Sequence, residues 1–125
     1  MIFDTDVLIW SVRGNLAATK AVGAAERRAI SIVTFMELLQ GTRDKREAQE
    51  IKAVLAGTGF VILPLAENIG SRALAYIDEY SLSDGLELAD ALIAATAVEA
   101  DEPLLTANYR HFKCIKGLML EVLRV

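Results

Sequence analysis

Met1-Ile2-Phe3-Asp4-Thr5-Asp6-Val7-Leu8-Ile9-Trp10 is a short apolar run that breaks on two carboxylates and turns at once into an apolar helix start. An ionised carboxylate taken out of water without a partner costs several kcal/mol, or shifts its pKa until it is neutral, so a pair at this junction needs compensation. In an open parallel sheet, ligands gather beyond the carboxyl ends of the strands, which makes Asp4 and Asp6 candidate site residues. The structural alternative is that Asp6 or Thr5 caps the following helix by accepting from an N–H of its first turn.

Outward from that junction, helices and strands alternate. Residues 7–12 form a short helix ended by Arg13-Gly14, and residues 16–28 a second, Ala-rich one. Residues 29–33 are a β-branched strand, 34–40 a helix stopped by Gly41, and 44–55 a charged helix. Gly57-Thr58-Gly59 leads into a strand over 60–63, which Pro64 closes. Residues 66–80 are amphipathic, with Ile69, Ala73, Leu74 and Ile77 on the buried face. A turn at Ser83-Asp84-Gly85 precedes a helix over 87–99, a fourth strand over 103–106 and an edge strand over 119–125. Strands separated by helices of this length imply crossover connections and an α/β fold, with a mainly parallel sheet of four to five strands covered on both faces. No repeat, linker or low-complexity tract interrupts residues 1–125, so one domain is expected.

Composition limits what such a fold can do. With 125 residues and 54% hydrophobic positions, the chain can bury a sizeable core. Its longest charge-free apolar runs fall short of the ~20 residues of a membrane span, and no basic stretch precedes an apolar core, so a cytoplasmic protein with no membrane partner is expected. The single Cys114 rules out an internal disulfide and a Cys-rich zinc site. With His111 as the sole histidine, RNA cleavage by a histidine pair is excluded, and a Ser–His–Asp triad would have to use this position. Seventeen acids against 13 bases give a net charge of −4, which argues against a passive nucleic-acid binder. A metal-dependent nuclease remains compatible, because divalent cations reverse the local field. Basic patches are visible at Arg27-Arg28, at Arg43 with Lys45-Arg46, and at Arg110-His111 with Lys113 and Lys116.

Three further places carry candidate chemistry. The helix around Leu88-Ala89-Asp90-Ala91-Leu92-Ile93-Ala94-Ala95-Thr96-Ala97 is apolar nearly all round, with Asp90 its only charge between Glu87 and Glu99. A helix of that kind is buried, so Asp90 either complements the positive helix end or points into a site. Glu37 follows a strand at the same sheet edge as Asp4, although Thr34-x-x-Glu37 also fits a capping box. Thr106 and Asn108 end another strand, where the structural alternative is a turn. Oxygen donors without Cys or His suit Mg2+ or Mn2+, and the chemistry such ions support is hydrolysis at phosphate, in two-metal sites with ions roughly 4 Å apart.

Four segments together resemble the PIN-domain family, and within it the VapC type of toxin ribonuclease. They are Ile2-Phe3-Asp4-Thr5-Asp6-Val7-Leu8-Ile9, Thr34-Phe35-Met36-Glu37-Leu38-Leu39-Gln40-Gly41, the Asp90 helix, and Leu105-Thr106-Ala107-Asn108-Tyr109-Arg110-His111-Phe112. The resemblance covers essentially the whole chain in the right order. It implies a three-layer α/β/α sandwich and a Mg2+- or Mn2+-dependent endoribonuclease, a homodimer neutralised by a VapB-like antitoxin. By the same resemblance, Asp4, Glu37 and Asp90 are the metal-binding acids, while Thr5 or Asp6 and Thr106 orient them or the water. Asn108 stands where many members carry a fourth catalytic acid. An amide binds a hard cation more weakly than a carboxylate, which leaves one ion tightly held and a second dependent on substrate phosphate. The implied reaction is in-line attack of an ion-activated water on an RNA phosphodiester.

Two readings from other classes compete. Asp4-Thr5-Asp6-Val7 also resembles the first motif of haloacid-dehalogenase-type phosphatases, with Asp4 as nucleophile, and Leu104-Leu105-Thr106 their second motif. That family needs a positioned Lys and a later acidic pair near a strand end, yet Asp101-Glu102 precedes Thr106. The other reading is a catalytically silent interaction module whose acids only cap helices.

Overall fold

The computed structural model describes residues 1–125. Its elements are β1 (Ile2–Phe3), α1 (Thr5–Val12), α2 (Leu16–Ala24), β2 (Ala29–Ser31), α3 (Ile32–Gln40) and α4 (Lys45–Gly57). They continue with β3 (Val61–Leu63), α5 (Glu67–Asp84), α6 (Leu88–Glu99), β4 (Leu104–Thr106), α7 (Tyr109–Phe112) and β5 (Leu120–Val122). All five strands are parallel in the order β3-β2-β1-β4-β5, with Ile2 opposite both Ala29 and Leu104. The direction of winding reverses between β1 and β4, and it is beyond the carboxyl ends of two such strands that a doubly wound sheet opens a crevice.

Strand alternation sorts the core into two layers. Ile2, Ala29 and Leu104 pack with Ile69, Ala73, Tyr76 and Ile93 from α5 and α6. Phe3, Ile30 and Leu105 face the other way, onto Val7, Leu8, Ala18, Val22 and Leu38. Successive strand side chains point to opposite faces, so three short apolar strands feed both layers of an α/β/α sandwich. Complete burial of Phe3 contributes about 2–3 kcal/mol. No helix is long and apolar enough to cross a membrane.

Several boundaries differ from the sequence expectation. The second strand stops at Ser31 instead of running to Val33, because the Ser31 hydroxyl accepts from the Val33 N–H and starts α3 early. α2 ends at Ala24, four residues before Arg28, whose guanidinium donates to the carbonyls of Val22, Gly23 and Thr58 and so closes two helix C-termini. α5 runs through the expected turn to Asp84 and stops at Gly85, whose left-handed φ of +69° glycine adopts without strain. On that helix Leu74 is exposed, and the buried face is Ile69, Ala73, Tyr76 and Tyr80 at helical spacing. The short helix α7 was not anticipated from the sequence.

Candidate active site

Asp4 is the first residue past β1 and is only 7% exposed. Neither Thr5 nor Asp6 is the cap of α1: Asp4 is, its Oδ1 accepting from the Thr5 N–H at 2.8 Å. Its Oδ2 accepts from the Thr106 hydroxyl at 2.8 Å, across 102 positions of sequence. Thr106, fully buried, in turn accepts from the Asn108 N–H at 2.9 Å. Both Asp4 oxygens are thus held by neutral donors, and no cationic side chain bonds to either. Burial and then the neighbouring Asp6 charge push Asp4 up from the usual carboxylate range to about 7, with Asp90 adding to the same effect.

Glu37 reaches this centre from α3. Because α3 starts at Ser31, Thr34 and Glu37 do not form a capping box. Instead the Thr5 hydroxyl donates to Glu37 Oε1 at 2.7 Å and lies 3.2 Å from the Thr34 hydroxyl. A hydroxyl carries one proton, so Thr34 is the donor in the second contact, and buried Thr34 supports Glu37 through Thr5. Asp6 Oδ1 accepts from the Ala107 N–H at 3.3 Å and ties the first turn of α1 to the β4–α7 connection.

Asp90 lies in the first turn of α6, half-buried. Burial raises its pKa, the His111 charge partly offsets this, and Glu87 and Glu37 add to the rise. His111 Nδ1 stands 3.5 Å from Asp90 Oδ2, and the Asn108 amide nitrogen lies 3.1 Å from His111 Nε2. The Asn108 amide and the Asp90 carboxylate thus flank the same imidazole ring, and the Asn108 side chain faces His111. The role of His111 had no sequence signal beyond proximity, since its contact with Asp90 depends on α7.

The chain thus brings Asp4, Thr5, Glu37 and Thr106 into one hydrogen-bonded system, with Asp6 and Asp90 close enough to perturb Asp4 electrostatically. No three His, Cys, Asp or Glu side chains converge tightly enough to hold a metal ion as they stand. Like charges without a counter-ion have no reason to close up, and Asp90 instead leans on His111. The chemistry of the donor set nevertheless fits a hard divalent cation: oxygen donors only, one of them a nearly buried carboxylate with a raised pKa and no basic partner. A groove of about 600 Å3 between α1, α3 and α4 reaches Glu37, its apolar wall including Leu38 and Val54 and its other charged residues being Arg13, Arg43, Glu47 and Glu50.

Replacing Thr106 with Val keeps the shape but removes the donor to Asp4 and the acceptor for Asn108. The expected loss is about 1–3 kcal/mol in chemical denaturation. A variant as stable as the parent would show that the hydroxyl bridge is dispensable.

The PIN domain family model matches residues 1–118. The chain is 37% identical to Ribonuclease VapC10 of Mycobacterium tuberculosis, covering 94% of this chain and 90% of that protein. It is 35% identical to Ribonuclease VapC1 of Rickettsia felis, over 100% of this chain and 96% of that protein. Among solved structures, a toxin–antitoxin complex from Klebsiella pneumoniae superposes with a TM-score of 0.78 at 34% identity, covering 94% of this chain and 93% of that one. None of the hydrogen bonds or ion pairs reaching Asp4, Glu37 and Asp90 comes from a lysine, which removes the positioned Lys that the phosphatase alternative requires. With a family match over nearly its whole length, and relatives this similar that it covers almost entirely, the chain belongs to the PIN-domain family and stands with its VapC-type members.

Proposed function

We propose that this protein is a Mg2+- or Mn2+-dependent endoribonuclease, the toxin of a VapBC-type toxin–antitoxin pair. The observation that carries the reading is Asp4. A buried carboxylate at the carboxyl end of the central strand, surrounded by other acids and held only by neutral donors, is a costly arrangement unless a cation completes it. Asp4, Glu37 and Asp90 would hold the ion, which when bound supplies a Lewis acid beside the phosphate oxygens.

The rest of the work belongs to the chain's own groups. Thr5 and Thr106 fix the Asp4 oxygens from opposite sides, so that the carboxylate is oriented before any ligand arrives. Thr5 also aims Glu37, and Asp6 locks the β4–α7 connection against α1. Asn108, with its amide on His111, would contribute at most a weak neutral oxygen.

The relatives' names support an RNA substrate, and the Klebsiella complex supports an antitoxin partner. The groove beside Glu37, with apolar walls from Ile9, Leu38 and Val54 and charges at Arg13, Arg43, Glu47 and Glu50, suits an amphipathic antitoxin segment. A homodimer, as the VapC resemblance implies, belongs to the same reading.

The test is incubation of purified protein with total cellular RNA. Discrete fragments are expected with Mg2+ or Mn2+, and none after chelation with EDTA. Cleavage that survives chelation would reject the metal-dependent mechanism.

A further inference from the structure

In two of the three basic patches visible in the sequence the arginines are engaged within the chain, leaving only Lys45 without an ion pair or side-chain hydrogen bond. Arg27 pairs with Glu102, Arg28 caps helix ends, and Arg43 and Arg46 pair with Glu47 and Glu50. The third differs. Arg110, Lys113 and Lys116 are exposed and form no ion pair, and residues 103–120 contain no acid. Within the same segment Tyr109 is 51% exposed, whereas Tyr76 and Tyr80 are buried.

This segment is fixed to the acid centre. Asn108 donates to Thr106, which holds Asp4, while His111 touches both Asn108 and Asp90, and Phe112 is wholly buried in the core. Unpaired cations and an open aromatic ring are therefore held in register beside a cluster of carboxylates. On a chain with net charge −4, that local reversal of sign calls for an anion.

We propose that α7 and its flanks form the track for a single-stranded RNA substrate, an inference that rests on the ribonuclease reading above. Arg110 and Lys113 take phosphates flanking the one at the acids, and Tyr109 stacks on an unpaired base. A duplex hides the faces of its bases, so an exposed aromatic next to the cations selects a loop or single strand.

Binding of a short fluorescein-labelled single-stranded RNA, followed by anisotropy over a range of salt with Mg2+ present, tests this. The measurement uses an Asp4→Asn background, which the proposed function makes unable to cleave. Arg110→Gln and Lys113→Gln are each expected to flatten the slope of log K against log salt by about 0.7. Tyr109→Ala is expected to weaken binding about tenfold at unchanged slope, with Tyr109→Phe retaining the affinity. All three residues are exposed, so the fold is not at stake. If the unaltered protein cleaves RNA but these variants bind like their background, this inference alone is overturned, and that is also the result if the surface docks an acidic protein. If the unaltered protein cuts no RNA with either ion, the ribonuclease reading and this inference both fall.

Discussion

Asp4→Asn and Asp90→Asn are each expected to lower metal-dependent RNA cleavage by a factor of about 10²–10³ or more, the range seen when one preorganised charge-stabilising group is removed. The substitutions are close to isosteric, so the comparison is one of charge. Asn at position 4 can still accept from the Thr5 N–H, which preserves the start of α1. At position 90 it removes the carboxylate that leans on His111 and leaves α6 otherwise intact. Fragment yield from total RNA with Mg2+, normalised to folded protein, is the measurement. Activity within a few-fold of the parent in either variant would remove that residue from the proposed ion site. If both kept full activity, the ribonuclease would have to work elsewhere on the molecule.

The second large effect has the opposite sign for stability. Burial raises Asp4 from 3.8 to about 7, so the folded state holds a proton that the unfolded chain has lost. That contribution is fully present below about pH 4 and disappears as pH rises through 7. Metal-free protein is therefore expected to be more stable at pH 5 than at pH 8. Asp4→Asn, which is never charged, is expected to exceed the parent at pH 8 by up to about 4 kcal/mol, less about 1–3 kcal/mol because its amide nitrogen cannot accept from the Thr106 hydroxyl. For a chain of this size the gain corresponds to a rise in Tm on the order of 10 °C in EDTA. Adding Mg2+ should raise the parent's Tm more at pH 8 than at pH 5, and the variant's hardly at all. A parent whose margin over Asp4→Asn does not shrink between pH 5 and pH 8 would contradict the account of Asp4 as a costly buried charge. The pair of results separates roles that a loss of activity alone would merge: the same carboxylate is a burden to the fold and a necessity for the chemistry.

Much of this was legible in the sequence because the signals are local. The break from Ile2-Phe3 to Asp4 is a one-step change from apolar to ionised, and the strand–helix alternation that follows permits few sheets other than a parallel one. From those two facts comes the placement of Asp4 and Thr106 at strand ends and of Glu37 on the helix that follows a strand. What the sequence hid depends on competition or on distance. Ser31-Ile32-Val33-Thr34 offers two capping hydroxyls around two β-branched residues, and only packing decides that Ser31 caps and Thr34 is buried. α7 is four residues long, too short to show a period. Without it nothing places His111 against Asp90, 21 positions earlier. Periodicity groups Leu74 with Ile69, Ala73 and Ile77, but the buried stripe runs through Ile69, Ala73, Tyr76 and Tyr80, and Leu74, about 100° round the helix from Ala73, faces outward.

The Asp4–Thr106 hydrogen bond spans 102 positions, and the central strand has an empty flank until Leu104–Thr106 settles beside it. A ribosome releases Asp4 long before Thr106. A nascent chain that has emerged only as far as α6 carries Asp4, Asp6, Glu37 and Asp90, yet it lacks the Thr106 hydroxyl that holds one Asp4 oxygen and the His111 ring beside Asp90. Synthesis itself thus postpones the assembly of the site until β4 and α7 have emerged, and a product truncated before β4 is expected to be inert.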